Sequence, residues 1–283
     1  MNTTISNKRL SASIKHTGAE LFSLTDNQNK EYIWNGNPDF WPKHSPILFP
    51  IVGSLKDETY KLEQKEYHLS RHGFARDMEF QLIEKTESSA TFSLLYNEET
   101  LQKYPFNFEL QIIYQLQENK LTIRYKVINI GETQMPFSIG AHPAFALPEK
   151  FSNYSIQFEK EEKLEYSLLE EGLISNTTAT LETSNSAVLL NYKLFENDAL
   201  VFKTLQSNSL TIFENSKPYL KVDLENFPSL GIWTKENAPF ICIEPWFGYS
   251  DTLEKSGDLF KKEGIVLLEA NQIFNAEFSI QVF

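Results

Sequence analysis

The sequence is poor in the residues that build redox centres and phosphate-binding loops. It has a single cysteine, Cys242, among 283 residues, which excludes an intramolecular disulfide and a cysteine-rich metal site. Glycine occurs only 11 times. Neither G-x-x-x-x-G-K-S/T nor G-x-G-x-x-G is present, so the usual phosphate-loop and dinucleotide sites are excluded. The G-x-S-x-G motif of serine hydrolases and the H-E-x-x-H motif of zinc proteases are missing as well.

Long hydrophobic runs and an excess of positive charge are missing too. The longest nearly apolar run, residues 46–52, is far shorter than the roughly 20 residues that span a bilayer. Residues 1–10 lack the apolar stretch of a signal peptide. The chain has 26 basic and 38 acidic residues, a net charge of −12, which disfavours binding to nucleic acid phosphates and to anionic membrane surfaces. We therefore expect a soluble cytoplasmic protein that binds neither nucleic acid nor membrane.

Strand signals dominate what is present. Aromatic residues make up 13% of the chain, and residues 106–116 and 120–130 alternate apolar and polar side chains around a short turn, which predicts a long hairpin. Further strands are predicted at residues 9–14, 90–95, 154–158, 186–190, 209–213, 219–224, 240–243, 264–269 and 275–282. One short helix is predicted from Asn97 to Tyr104, and Asn197 and Asp198 are candidate caps of another. We therefore predict one all-β domain over residues 1–283, a large antiparallel sandwich with few short helices.

Three segments contain charged or histidine side chains among apolar neighbours. They are residues 69–77, 138–145 and 241–248. Glu244 follows an apolar strand and precedes Pro-Trp. Burial against aromatic rings raises the pKa of a carboxyl group, which suits a general base, whereas a buried ion pair with Arg71 or Arg76 is the structural alternative. His142 stands between Gly140 and Pro143. Imidazole is the commonest general acid or base, and the alternative is a core histidine bonded to a backbone carbonyl.

The other four histidines carry weaker signals. His72 lies in a segment with two arginines and an aspartate, which indicates either a hydrogen-bonding rim or a network of ion pairs. His68 is four residues away, but the segment is strand-like, so a metal-binding pair on one helix face is not expected. His16 and His68 are predicted to lie at the surface, and His44 is ambiguous.

Four motifs, in this order, resemble those of the aldose 1-epimerase (galactose mutarotase) family, most closely its LacX-type branch. They are Phe49–Gly53 (FPIVG), Arg71–Arg76 (RHGFAR), Gly140–Phe145 (GAHPAF) and Ile243–Trp246 (IEPW). The resemblance implies a galactose mutarotase-like β-supersandwich with a concave sugar site. It also implies interconversion of the α and β anomers of a free aldohexose such as galactose or glucose, without a metal or an organic cofactor. The partner is then a monosaccharide substrate. Independently of the resemblance, we expect a monomer or a homodimer.

The same resemblance assigns roles to residues. Glu244 would take the proton from the anomeric hydroxyl, His142 would protonate the ring oxygen, and His72 would hydrogen-bond the sugar. We expect Glu244 and His142 on one concave surface, on either side of a space the size of a pyranose ring. The substrate-binding candidates are Arg71, Arg76, His44, Asp223 (a counterpart of the aspartate that contacts sugar hydroxyls in galactose-specific enzymes), Trp233 and Trp246. Trp34, Trp41 and Phe247 are further candidates for an aromatic platform under the sugar.

Two alternatives stay open. The hexose-6-phosphate mutarotase branch shares the His-Gly-Phe-Ala-Arg and Glu-Pro-Trp motifs, and Lys43, His44, Arg71 and Arg76 are available to bind a phosphate. That branch has an arginine and paired glycines before its Phe-Pro motif, which this sequence lacks, and the net charge of −12 disfavours a dianionic substrate. A non-catalytic carbohydrate-binding protein of the same fold is the other alternative, since a fold does not determine a function.

Overall fold

The computed structural model describes residues 1–254 and 257–283, and this part of the chain is built mainly from short antiparallel strands. The first twelve strands are β1 Asn2–Ser6, β2 Leu10–Lys15, β3 Leu21–Asp26, β4 Ile47–Leu48, β5 Thr59–Leu62, β6 Lys65–His68, β7 Gln81–Lys85, β8 Ser89–Leu95, β9 Phe108–Gln117, β10 Lys120–Asn129, β11 Met135–Phe137 and β12 Ile139–Ala141. The others are β13 Ala144–Ala146, β14 Tyr154–Phe158, β15 Glu165–Glu170, β16 Leu173–Thr180, β17 Ala187–Leu189, β18 Leu200–Phe202, β19 Ser209–Glu214, β20 Lys217–Asp223, β21 Ser229–Trp233, β22 Phe240–Phe247, β23 Val266–Leu268 and β24 Ile273–Val282.

In residues 1–254 and 257–283, helical structure is limited to single turns and one short helix. The α-helix is α1 Glu98–Lys103, and the 3₁₀ helices are Lys56–Glu58, Ala75–Asp77, Phe151–Asn153, Tyr192–Phe195 and Leu259–Lys261. The Asn97 side chain accepts from the Thr100 backbone N–H, and the Thr100 hydroxyl accepts from the Asn97 backbone N–H, so a capping box begins α1. The predicted helix is thereby confirmed. In the described residues, no helix is both long and apolar enough to cross a membrane.

Two large sheets carry the architecture. One has nine strands in the order β17-β14-β19-β20-β24-β10-β9-β8-β7. The other has eight, in the order β16-β15-β18-β21-β22-β12-β4, with β13 also paired to β22. Smaller sheets are formed by β1-β2-β3, β11-β23 and β5-β6. The predicted all-β fold is confirmed, and the predicted hairpin is β9 and β10, joined by two turn residues with Lys120 opposite Gln117.

The main core lies between the two large sheets and uses most of the aromatic residues. Phe158 on β14 packs against Phe202 on β18, with ring centroids 6.1 Å apart, and Phe247 on β22 packs against Phe274 on β24 at 4.9 Å. Along β10, buried and partly exposed residues alternate, as expected when one face of a strand packs on a core. Buried residues outside this core, such as Cys242 and Trp246 of the eight-stranded sheet, belong to two smaller clusters.

Three local predictions were wrong. The strand predicted to end at residue 243 runs through Glu244 to Phe247, because hydrogen-bonded neighbours flank it along this length. Asn197 and Asp198 follow the 3₁₀ turn Tyr192–Phe195 and cap no helix. His16 is buried, and its Nε2 atom lies 2.9 Å from the Thr3 hydroxyl oxygen, which gives the buried ring a polar partner. His68 is exposed as predicted.

Candidate active site

Strand β22 presents two chemically different faces. Ile241 and Ile243 point into the core between the sheets. Because side chains alternate along a strand, Cys242, Glu244 and Trp246 share the opposite face. Cys242 and Trp246 accordingly belong to two small apolar clusters that are separate from the main core. Glu244 stands between these clusters and is only 1% exposed.

His142 lies opposite Glu244 in the sheet register. Strands β12 and β13 pair with β22 in one continuous register on either side of His142, and extending that register places His142 across from Glu244. Directly opposed residues of an antiparallel pair have close Cβ atoms. The Nε2 atom of His142 lies 3.3 Å from the Oε2 atom of Glu244. Among the described residues, only His142 lies at ion-pair distance from Glu244. The alternative ion pair with Arg71 or Arg76 is therefore not formed.

This contact corrects the expected spacing of the pair. Glu244 and His142 were predicted on either side of a pyranose-sized space, but they lie side by side on one wall. The anomeric hydroxyl and the ring oxygen of a pyranose are bonded to the same carbon, so two neighbouring groups can reach both oxygens.

Burial controls the charge of the pair. It raises the pKa of Glu244 well above its usual range; the nearby Asp198 charge also raises it, and Arg71 opposes this. Burial, together with the positive charge of Arg71, lowers the pKa of His142 to about 3. A neutral carboxylic acid beside a neutral imidazole has the same number of protons as a carboxylate beside an imidazolium. In either arrangement a pair that carries one proton has one group that can donate a proton and one that can accept it.

His72 is held by backbone contacts. Its φ of +69° lies in the left-handed region, and its N–H donates to the Gly53 carbonyl at 2.8 Å. The Gly53 N–H donates to His72 Nδ1 at 3.1 Å. Burial, the neighbouring His142 and two arginines lower the pKa of His72 well below its usual value, so the ring is neutral and its proton is on Nε2. Nε2 is therefore a donor. The Arg71 Nε–H at 3.2 Å cannot also donate to it, and Arg71, whose side chain is 46% exposed, is the group that can turn away.

These groups meet in one cavity of about 390 Å³. The predicted residues that line it are Glu244, His142, His72, Arg71, Arg76, Trp233 and Trp246. Trp41 also lines it and stacks on the His142 ring with centroids 4.8 Å apart and planes 25° from parallel. Trp233 meets the same ring edge-on at 5.9 Å. Apolar rings next to an acid–base pair are what a sugar, with its C–H faces and hydroxyls, requires of a binding site.

Two predicted binding residues lie elsewhere. The His44 backbone N–H donates to Glu20 at 2.8 Å and its ring lies beside Lys15, in a polar network under β2. Asp223 ends β20 in the nine-stranded sheet, where its carboxylate pairs with Lys221 at 2.6 Å. These two assignments are therefore corrected. His44 was placed by its nearness in sequence to Phe49–Gly53 and Asp223 by resemblance alone, and neither is a guide to position in space.

Asp198 lines the cavity and was missed by sequence reasoning. Its carboxylate lies 4.0 Å from the Arg71 guanidinium, and its φ of +75° is unusual for a residue other than glycine. No local signal marks it, because it sits in a turn that only the tertiary structure brings to the cavity. Its carboxylate, unlike that of Asp223, lines the cavity.

Two glycines position Trp246. A Cβ atom at Gly231 would lie 2.4 Å from Cη2 of the indole, and a Cβ atom at Gly140 would lie 2.5 Å from its Cδ1. The ring therefore lies flat on bare backbone, and its Nε1–H donates to the Ala141 carbonyl at 3.2 Å. Since Ala141 precedes His142, the indole also holds the backbone that presents the imidazole.

The fold and the cavity define a galactose mutarotase-like β-sandwich protein with an acid–base pair at its centre. The chain belongs to the aldose 1-epimerase family, whose model ("Aldose 1-epimerase") matches residues 1–266. Protein LacX of Lactococcus lactis subsp. lactis is 37% identical over 277 residues, which are 93% of each chain.

Solved structures agree with this assignment. A galactose mutarotase-related enzyme from Lactobacillus acidophilus superposes with a TM-score of 0.96 and 33% identity, covering 100% of this chain and 97% of that one. A galactose mutarotase-like protein from Lactobacillus casei ATCC 334 gives a TM-score of 0.94 and 31% identity, with 100% of both chains covered. The resemblance seen in the four motifs is thereby confirmed for family and fold.

Proposed function

We propose that this protein is an aldose mutarotase that interconverts the α and β anomers of a free aldohexose such as galactose or glucose. The observation that carries the proposal is the 3.3 Å contact between His142 and Glu244 on the wall of a cavity that His72 also lines. Mutarotation needs one base and one acid next to the same carbon. A buried pair that holds one proton between two sites meets this requirement.

In the reaction, the bond between C1 and the ring oxygen breaks and re-forms while protons pass between the sugar and the Glu244–His142 pair. The Glu244 carboxylate takes the proton of the anomeric hydroxyl, the C1–O1 bond becomes a carbonyl, the C1–ring-oxygen bond breaks, and imidazolium His142 protonates the released oxygen. Rotation about C1–C2 exposes the other face of the aldehyde. His142 then takes the proton back as the ring oxygen attacks C1, and Glu244 returns its proton to the carbonyl oxygen. The pair ends in its starting state with the other anomer formed.

The rest of the cavity orients the sugar. The Nε2–H of His72 faces the cavity as a donor for a sugar oxygen, since its Nδ1 is occupied by the Gly53 N–H. The carboxylate of Asp198 is an acceptor for sugar hydroxyls. Trp41 and Trp233 bracket the His142 ring and offer apolar faces to the C–H bonds. Each type of group on a pyranose therefore has a partner.

One observation favours a second candidate, a hexose-phosphate mutarotase. Arg71 and Arg76 both line the cavity, and guanidinium groups bind phosphate well. Three observations favour the free sugar. The Arg71 guanidinium faces the carboxylate of Asp198, Arg76 lies 3.5 Å from the carboxylate of Asp77, and the chain has a net charge of −12. The arginines are thus partly neutralised before any ligand binds.

Anomerisation rates test the proposal. Freshly dissolved α-glucose and α-galactose are followed by polarimetry or proton NMR with wild-type protein and with Glu244→Gln. We expect the variant to lose about 10²- to 10⁴-fold in rate, the usual contribution of a general base. Glu98→Gln, an exposed change on α1, is the matched control and should retain the wild-type rate. Equal rates for wild type and Glu244→Gln on every sugar would refute the proposal.

The same assay separates the alternatives. A rate on glucose-6-phosphate more than about tenfold above that on galactose would identify the phosphate as the substrate. Saturable sugar binding by calorimetry without any acceleration of anomerisation would identify a non-catalytic binding protein of this fold.

A further inference from the structure

Cys242 shares its face of β22 with Glu244, two residues away. The cysteine sulfur, a carboxylate oxygen of Glu244 and an imidazole nitrogen of His142 all lie within 4.8 Å of one another, and all three residues are buried. The proposed mutarotation uses Glu244 and His142 and leaves the thiol without a role. Three different ligand types thus converge beside the cavity.

Two of these side chains have unsatisfied polar atoms. Within the described residues, Oε2 of Glu244 and Nδ1 of His142 are buried and have no hydrogen-bond partner. Glu244 is 1% exposed and His142 8% exposed. The His142 atom that lies 3.3 Å from Oε2 is Nε2 and not Nδ1, and this contact is not a hydrogen bond. The decisive atom is therefore Oε2: a buried acceptor without a partner is costly, and a cation held with Nε2 and the sulfur would satisfy it.

We propose that Cys242, His142 and Glu244 form a binding site for a thiophilic divalent cation of the Zn²⁺ class. Zn²⁺ takes sulfur, nitrogen and oxygen ligands in a tetrahedron, and three protein ligands leave its fourth position open. Mg²⁺ and Ca²⁺ prefer six or more oxygen ligands, and this cluster offers one carboxylate. The donor set therefore selects a soft or borderline metal.

Charge balance supports the assignment. A thiolate, a carboxylate and a neutral imidazole carry two negative charges, which Zn²⁺ cancels, so the occupied site is neutral inside an apolar wall. Burial and the nearby Glu244 raise the pKa of the free thiol, so the thiol is protonated before a metal binds. Binding therefore releases two protons to solvent, the S–H proton and the proton shared by Glu244 and His142, as three metal–ligand bonds form and three water ligands leave the metal. Metal bonds of about 2.0–2.3 Å place ligand atoms roughly 3.5 Å apart, so the side chains must close by about 1 Å.

The expected effect of a bound metal on activity rests on the proposed function. A bound metal occupies the carboxylate and the imidazole that transfer protons, so it inhibits mutarotation. Chelation restores activity, because no bond within the protein has changed. Cys242 acts in this inhibition and not in the reaction.

Cd²⁺ titration of the full chain tests the site directly. A cadmium–thiolate bond adds an ultraviolet charge-transfer absorption, and we expect it to saturate at one Cd²⁺ per chain. Zn²⁺ affinity, measured by equilibrium dialysis, should fall at least tenfold in Cys242→Ala and in His142→Gln. His68→Gln, at an exposed histidine, is the matched control and should bind like wild type. If Cys242→Ala does not fold, as judged by circular dichroism, Cys242→Ser and His142→Gln carry the comparison.

The outcomes separate the metal site from the catalytic proposal. A charge-transfer band with no anomerisation of any sugar would support the site and refute the mutarotase assignment. Anomerisation without the band, or equal Zn²⁺ affinity in wild type and Cys242→Ala, would overturn the site and leave the mutarotase assignment standing. If both hold, Zn²⁺ should inhibit wild type at least tenfold more strongly than Cys242→Ala, and a chelator should reverse it.

Discussion

The imidazole of His142 and the carboxylate of Glu244 face each other across paired strands, with Nε2 and Oε2 3.3 Å apart. Both are almost fully shielded from solvent. Protonation of one side chain therefore changes the proton affinity of the other, and the two titrate as a pair. Substitutions in this pair should have effects that do not add.

Non-additivity is the first prediction. We expect His142→Gln and Glu244→Gln each to lower the anomerisation rate by about 10²- to 10⁴-fold, and the double variant to be no slower than about tenfold below the worse single variant. Removing either partner already disables the exchange. Initial rates by polarimetry provide the measurement. Fully multiplicative losses would show that the two side chains act independently.

A second prediction concerns His72. Asn tolerates the left-handed backbone that His72 adopts, so His72→Asn should fold while losing the ring nitrogen that faces the cavity. We expect kcat/KM to fall about tenfold or more, as for the loss of one buried hydrogen bond to a ligand. His68→Asn at an exposed position is the control. An unchanged kcat/KM in His72→Asn would remove His72 from the sugar site.

A third prediction concerns Gly231 and Gly140, the glycine floor on which the Trp246 indole lies. In Gly231→Ala the new Cβ would lie 2.4 Å from the indole, so the ring must move. We expect a loss of about 1–3 kcal/mol in the free energy of unfolding, the usual cost of overpacking. Urea denaturation measures it. Adding Trp246→Phe, which has a smaller ring, should recover part of the loss; an additive further loss would show that the clash is not the cause.

The fourth prediction concerns acid stability and Glu20. Burial alone would raise the pKa of Glu20, but hydrogen bonds from His44 and the Lys15 ammonium, 2.9 Å away, lower it to about 2. Because this pKa lies below the ordinary value near 4.5, ionised Glu20 stabilises the fold above about pH 4.5. That contribution, at most about 3 kcal/mol, is lost as the pH falls towards 2.

Glu20→Gln should remove that pH dependence. Its stability, from urea denaturation between pH 6 and pH 3, should fall less steeply than that of wild type. Glu98→Gln, at an exposed position, should leave the slope unchanged. Equal slopes for wild type and Glu20→Gln would show that Glu20 does not contribute to acid unfolding.

Much of the fold was predictable from local sequence patterns. The hairpin of β9 and β10 follows from period-two alternation around a short turn, and α1 follows from an asparagine cap. The end of β22 was not predictable, because Glu244 and Trp246 are tolerated in a strand only when neighbouring strands and the glycine floor are in place.

The sequence by itself determined that the chain is built mainly from antiparallel strands, because apolar and polar side chains alternate at period two between short turns, and its four motifs were enough to identify the family. Only the tertiary structure decided that His142 stands opposite Glu244, that Asp198 and not Asp223 reaches the cavity, and that the Cys242 sulfur lies within 4.8 Å of both His142 and Glu244. The physical reason is that register and burial arise from contacts between segments far apart in the chain. Such contacts leave no periodicity and no spacing in the sequence from which they could be read.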